Sequence, residues 1–396
     1  MIFKKDELKH LWPFYAERFI AHLLYFAPAF WILQFNQYLS LFQIGILFSI
    51  LSVSSFIFEI PTGAIADLYG RKFSVLLGYF LTALAVIFLS FVRNFSFLIF
   101  VFFLWGIAGT FISGAKESWV VDNLNYKRKK HLVKEFFIKE QSIILISLFL
   151  SGLLGAYVVS KLGLNIIWVF ASFSYLITAI LLIFIKEHKI TKEKTNKLSD
   201  LFKQSKKSIK YAWGHHVLFF FIFATFFIMF RDSFGGDLVW QPFLKNLGLP
   251  IYLFGFVFSA STLMGALIPF VSGKLLKIFK TERRYLIFLL IVTAILDFSV
   301  IFINSYIIAL VILFLMFASI FMSMPVSQGF FHSYIPGKIR ATVTSLNSMV
   351  IALAYALSYP LSGYLADIIT PRYTIALGSI ILIPAIFLYL KIKEKK

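Results

Sequence analysis

Apolar residues run through this chain in repeated blocks of about 20 residues, each long enough to cross a bilayer as a helix. The blocks predict helices over 13–36, 40–66, 73–92, 95–124, 136–160 and 164–186. A second set is predicted over 214–243, 250–276, 284–304, 306–335, 341–366 and 372–390. Between the sets lies the polar stretch 186–211, KEHKITKEKTNKLSDLFKQSKKSIKY, with nine lysines. Leu198, Leu201, Phe202, Ile209 and Ala212 give its second part a loosely amphipathic spacing. That fits a short helix on the membrane surface or a solvated linker. It is the longest polar segment, so no soluble domain has room to form. The organisation expected is an N-terminal six-helix bundle (1–186), a basic linker (187–212) and a C-terminal six-helix bundle (213–396).

Composition sharpens this picture. Of 396 residues, 60% are hydrophobic, against about 45–50% in average globular chains, and the mean hydropathy is +0.87. The basic N-terminus, MIFKKDELKHLW, precedes an apolar span too long for a signal-peptide core, so a retained first helix is expected. The net charge of +20 does not point to nucleic acid, because the cations lie almost wholly in short loops on one side. Those loops and the termini hold about thirty Lys and Arg, whereas the opposite loops hold Arg93, Lys161, Lys245 and Arg372. Both termini are therefore expected in the cytoplasm, which requires an even number of crossings, and twelve fits. The 50 phenylalanines are spread along every span and are read as lipid-facing bulk. With no cysteine there is no disulfide or thiolate metal site. No P-loop, no HExxH and no other catalytic set is visible, so neither enzyme chemistry nor a cofactor or metal is expected.

The break between the second and third blocks, residues 60–72, reads IPTGAIADLYGRK and leaves only about six residues for the turn. Gly63 and Gly70 are expected where backbones approach. Asp67 can meet helix-terminal amides or a cation, and Arg71 and Lys72 mark the cytoplasmic side. The stretch resembles the signature loop of the major facilitator superfamily, roughly G-x-x-x-D-x-x-G-R-K/R between transmembrane helices 2 and 3. It matches at Gly63, Asp67, Gly70, Arg71 and Lys72. PGKIRATVTSLNS, 336–348, resembles the usual start of helix 11, and WQPFLKNLGLP, 240–250, resembles the end of helix 7 in efflux-type members. Ile60-Pro61 has a counterpart in Ile268-Pro269, and the signature loop a decayed echo in Gly273, Lys277, Lys280, Arg283 and Arg284, as in a diverged repeat. The resemblance implies an all-α membrane protein, with twelve transmembrane helices in two pseudo-symmetric six-helix bundles. It also implies that helices 1, 4, 7 and 10 line the central cavity. An acid at the end of helix 4 commonly pairs with the signature Arg, which assigns Asp122 to Arg71 as a gate.

Charges within apolar spans cost about 2.5–3.5 kcal/mol on insertion scales and need a partner, water or a function. Arg231 and Asp232 fall mid-span in helix 7, followed by Gly235-Gly236 and Asp237. Adjacent residues point about 100° apart, so the first two cannot form one ideal pair in a narrow cleft. A Gly-Gly step can break the helix there. The readings are a substrate or proton site, or an ion pair to a neighbouring helix. On helix 1, Arg18 and His22 share a face and Glu17 sits on the adjacent one. Glu17 is a candidate proton carrier, the alternative being that Glu17 and Arg18 snorkel at the interface. On helix 4, Gly106, Thr110, Ser113 and Glu117 follow one face, with Lys116 beside it, and Glu117 or Lys116 is expected to face the cavity, proton coupling running through Glu17, Glu117 or Asp232. Glu59 is a further proton candidate or a packing cap near Pro61. Lys139 and Glu140 are expected at the interface, and Asp297 in helix 9 must turn inward or be protonated. Ser319, Ser323, Ser327, Gln328 and His332 on helix 10, interrupted by Pro325, are neutral cavity groups.

Drug/proton antiporters usually carry an Arg in helix 4 and a Gly-Pro-rich motif in helix 5. Here VFFLWGIAG (101–109) has no Arg, and SLFLSGLLGAYVV (147–159) keeps Gly152 and Gly155 without Pro. The reading is a secondary transporter of the plasma (inner) membrane of a prokaryote, using alternating access. Proton-coupled export of a small organic molecule or drug is preferred. The alternatives are proton-coupled uptake of a nutrient or metabolite, and a transport-dead receptor or scaffold. The expected partners are a small-molecule substrate, protons and membrane lipid, with no nucleic acid and a monomeric chain.

Overall fold

The computed structural model describes residue 3 and residues 6–188 and 211–393. Most of the basic linker, with its expected surface helix, lies outside the described residues. Ten helices are long and apolar enough to cross a membrane, and an eleventh follows if one bent pair counts as a span. They are α1 (Glu7–Phe35), α2 (Leu41–Tyr69), α3 (Arg71–Phe88), α4 (Phe95–Tyr126), α5 (Leu132–Leu162) and α6 (Leu164–Ile183). Then come α7 (His216–Asn246), the pair α8 (Leu253–Leu267 and Pro269–Phe279, bent by 54°), α9 (Glu282–Phe302) and α10 (Tyr306–Ser333). The last helical stretch, Arg340–Lys391, runs 52 residues. At 1.5 Å per residue this far exceeds a hydrocarbon core of about 30 Å. Thr370, at φ 76° and ψ 154°, divides it, and Pro371 opens the following helix. The two pieces are α11 (340–369) and α12 (371–391), which brings the helices to twelve among the described residues.

Local chemistry explains the breaks and starts. Gly114 at φ 69° divides α4, a conformation that L side chains rarely adopt. Gly236 leaves helical geometry within α7, where the Gly-Gly step stands. Asn94 and Thr281 cap α4 and α9 by accepting from the amides of Phe97 and Arg284. Pro325, expected to interrupt α10, lies within a continuous helix. A proline removes one ladder bond, and in a bilayer the neighbours keep the remainder closed.

Contacts divide the chain into two compact units. The first comprises Met1–Leu39, Ile50–Lys192 and Pro250–Leu263, and the second Ser40–Ser49, Glu193–Leu249 and Met264–Lys396. The start of α2 thus belongs to the second unit and the start of α8 to the first. Glycines make these attachments close. Within the second unit, a Cβ on Gly45 would lie 2.3 Å from the Tyr359 carbonyl oxygen. Within the first, a Cβ on Gly152 would lie 2.5 Å from that of Gly255. Without bulk at these positions the backbones can touch.

In the first unit α1 packs on α5 and α6, and α3 on α4 and α6. Its core gathers Leu11, Phe14, Tyr15, Trp119, Val120 and Phe136. In the second unit α7 packs on the 340–391 stretch, and α9 on α10 and on that same stretch. Its core gathers Leu218, Phe221, Tyr285, Phe330, Phe331 and Tyr389. Phenylalanine serves both environments. Phe14, Phe30 and Phe35 are fully packed, while Phe91, Phe184 and Phe270 are exposed.

Candidate functional site

The first unit encloses a cluster of charges on α1, α4 and α5. Arg18 is its hub. One terminal guanidinium nitrogen donates to Glu117 Oε1 at 2.8 Å, and its Nε donates to Glu140 Oε1. Its Nε also lies 3.8 Å from Glu17 Oε2. Lys116 Nζ is 3.4 Å from Glu140, 3.6 Å from Glu117 and 3.7 Å from Glu17. The Tyr79 hydroxyl of α3 donates to Glu17 Oε1. Glu17 is wholly buried, Lys116 is 1% exposed and Glu140 is 7% exposed. Two cations therefore face three carboxylates, leaving one negative charge over. Glu17 Oε2, Glu117 Oε2 and Lys116 Nζ have no hydrogen-bond partner among the described residues. The break at Gly114 lies two residues before Lys116 and three before Glu117.

The second unit contains a cavity of about 290 Å³, lined by residues of α7, α9, α10, α11 and α12. Asp232, Gln328 and Asn347 supply ionic and amide groups, and Met229, Ile320, Leu290 and Tyr389 supply apolar wall. Arg231 also lines it, but its guanidinium is turned to Asp297 of α9. Nε to Oδ2 is 2.7 Å, and a terminal nitrogen donates to Oδ1. Gly378 of α12 makes room for this pair: a Cβ there would lie 3.0 Å from Asp297 Oδ2 and 3.4 Å from Arg231 Cγ. Asp232 accepts from the Tyr355 hydroxyl at 2.9 Å. Asp237 begins the second segment of α7, exposed, with Asp232 as its charged neighbour. Among the described residues no group of three or more His, Asp or Glu is placed so that it could hold a metal ion.

The family model described as Major Facilitator Superfamily matches residues 14–296 and, in a second match, 238–396. The chain belongs to the major facilitator superfamily. It is a multi-pass membrane protein of a transporter family. A curated relative is the "Uncharacterized MFS-type transporter YxaM" of Bacillus subtilis (strain 168), 26% identical over 242 residues. The match covers 59% of this chain and spans 58% of that relative's length. Among solved structures, the nucleoside transporter NupG aligns at a TM-score of 0.76 and 13% identity, over 96% of this chain and 98% of that one. A bacterial homologue of the human lysosomal transporter Spinster aligns at 0.74 and 14%, over 98% and 97%. These structural likenesses concern the fold.

The superfamily signature loop joins α2 to α3. Arg71 Nε lies 2.8 Å from Asp122 Oδ2 on α4, and a terminal nitrogen of Arg71 lies 3.6 Å from Asp67. Lys72 Nζ donates to the Ile183 carbonyl at 2.6 Å. Glu187, just past α6, accepts from the Arg71 amide at 2.7 Å. Gly70 has φ 111°, so its role is conformational. A Cβ on Gly63 would meet nothing within 4 Å, so no backbone approaches there. Glu59 is exposed and accepts from Ser113 Oγ at 3.3 Å. Gln328 is exposed at the cavity.

Several participants escaped sequence reading. Glu140, expected at the interface, is buried because α5 begins at Leu132, which puts Glu140 two turns inside the helix. Tyr79, Tyr355 and Asn347 carry no charge within an apolar run and so leave no signal. Asp297 was marked by its charge, but nothing in the spacing named Arg231 as its partner.

Proposed function

We propose that this chain is a proton-coupled secondary transporter that exports a small organic molecule or drug by alternating access. The cluster on α1, α4 and α5 carries the coupling. Its three carboxylates outnumber its two cations, and it is largely shut from solvent. An uncompensated charge inside a membrane costs about 2.5–3.5 kcal/mol on insertion scales. One proton cancels the surplus. We assign that proton to Glu17, whose Oε1 takes the Tyr79 hydroxyl while Oε2 has no hydrogen-bond partner among the described residues. Arg18, Lys116, Glu117 and Glu140 are the charges around it. His22, held by the Arg18 carbonyl at 2.7 Å, is the neighbouring titratable ring.

Export is favoured by the resemblance of residues 240–250 to efflux-type members. The asymmetry of Lys and Arg between loops favours a plasma-membrane chain with both termini in the cytoplasm. In this reading the Arg71–Asp122 contact is a gate latch, and the chain acts as a monomer in lipid. Everted membrane vesicles with an imposed pH gradient test the direction and the coupling. Export predicts gradient-driven accumulation of a labelled solute inside them, abolished by a protonophore. Accumulation only in right-side-out vesicles contradicts export, and accumulation indifferent to the gradient contradicts coupling.

A further inference from the structure

We propose that the cavity in the second unit binds a small amphiphilic organic cation, a protonated amine, with Asp232 as its counter-ion. This deepens the transporter reading and rests on it for its place in a transport cycle. The first observation is the charge census. Among the described residues, Arg231 and Asp232 are the charged residues that line the cavity. Arg231 spends its guanidinium on Asp297 through two hydrogen bonds. That pair is internally neutral, so the wall keeps one negative charge. Asp232 has one hydrogen bond among the described residues, from the Tyr355 hydroxyl to Oδ2, and no ion-pair partner.

The second observation is independent of charge. Asn347 lines the same cavity, is only 8% exposed, and its Oδ1 has no hydrogen-bond partner among the described residues. The Asn347 carboxamide therefore adds a neutral polar group to the lining, in addition to the carboxylate of Asp232.

The third is the state of the lining hydroxyls. Thr225 donates to the Phe221 carbonyl at 3.0 Å and Ser323 to that of Ile320 at 2.7 Å. Ser319 donates to the Leu289 carbonyl at 3.1 Å. The Thr225 and Ser323 protons are committed to the helices, and the Ser319 hydroxyl also meets Thr293 at 2.9 Å, so these hydroxyls are spent as donors and keep acceptor capacity. A lining with one surplus negative charge beside these hydroxyl acceptors is complementary to a ligand that brings a positive charge and N–H donors. It disfavours carboxylates and phosphates, because the described lining offers them no uncommitted cation. The volume, about 290 Å³, sits at the lower end of small-molecule sites, and the apolar remainder suits a hydrocarbon or aryl body.

The test uses purified full-length protein in detergent. 2-Phenylethylamine and cyclohexylmethylamine are titrated by thermal shift and calorimetry beside their alcohol and carboxylic-acid counterparts. The proposal expects the amines to bind and the isosteres not to. It expects Asp232→Asn to weaken amine binding by about ten- to hundredfold, the worth of one charge-assisted bond. Asp367→Asn, the same carboxylate-to-amide change on α11 but outside the cavity lining, should keep amine affinity near wild type, and a cooperative thermal transition in Asp232→Asn shows that the fold around the site survives substitution. Equal binding of the alcohols, binding of the acids, unchanged amine affinity in Asp232→Asn, or no amine binding at all overturns the assignment. Gradient-driven transport of another solute, persisting beside failed amine binding, leaves the transporter reading intact. Loss of both removes both.

Discussion

Arg231 on α7 and Asp297 on α9 close on each other through two hydrogen bonds, with Arg231 2% exposed and Asp297 wholly buried. This contact ties α9 to the charged segment of α7 and leaves Asp232 as the unpaired charge of the cavity. Truncating one partner strands the other. Arg231→Ala should lower stability strongly, by about 3–5 kcal/mol. The double variant Arg231→Met, Asp297→Leu should recover much of that loss, because no buried charge remains. Thermal unfolding of the purified variants in detergent measures both. A single variant as stable as wild type contradicts a buried, mutually dependent pair.

Close helix approach makes its own prediction. A Cβ on Gly106 of α4 would lie 1.9 Å from Ser54 Oγ and 2.7 Å from the Leu51 carbonyl oxygen on α2. Gly109, three residues on, would meet nothing within 4 Å. Gly106→Ala should cost about 1–3 kcal/mol through overpacking, while Gly109→Ala should be neutral or slightly stabilising. Folded yield and melting temperature of the two variants separate them.

Asp367 of α11 accepts from the amides of Leu41 at 3.0 Å and Phe42 at 2.8 Å, the first residues of α2. It acts as a helix cap supplied by another part of the same unit, and its charge suits a helix N-terminus. Asp367→Ala should cost about 0.5–2 kcal/mol and Asp367→Asn less. Hydrogen exchange at residues 41–44 reads the cap directly, and faster exchange is expected in the alanine variant.

The signature-loop ion pair should govern rate. Asp122→Asn removes the carboxylate 2.8 Å from Arg71 Nε, yet Asp122 lies outside both the charge cluster and the cavity lining. Transport velocity should fall with substrate affinity little changed. Initial-rate kinetics in vesicles give both quantities.

Much of the architecture was legible because lipid enforces it: an apolar block must become a helix that closes its own backbone bonds. The signature loop identified the family through five residues, from Gly63 to Lys72. Gly235-Gly236 announced the break in α7, and Glu17, Arg18, Lys116 and Glu117 were visible as charges out of place. Their mutual arrangement was not. Pairing between helices depends on rotation and depth, which apolar blocks leave open. Arg231 therefore looked as available as Asp232 until Asp297 was seen facing it. Uncharged partners such as Asn347 and Tyr355 look like any other residue of an apolar span. The assignment of α2 and α8 starts to opposite units follows from glycine contacts at Gly45 and Gly152, which no pattern along one strand of sequence displays.

Substrate-linked proton movement in proteoliposomes carrying wild type or Glu17→Gln tests the coupling most directly. Glutamine keeps the size of Glu17 and leaves Arg18 and Lys116 facing Glu117 and Glu140 alone, so the cluster is neutral without a proton. A lumenal pH dye should report proton flux with substrate in wild type. In Glu17→Gln, substrate exchange should continue down its own gradient while proton flux and pH-driven accumulation disappear. Undiminished proton flux in Glu17→Gln would contradict the assignment of the coupling proton to this cluster.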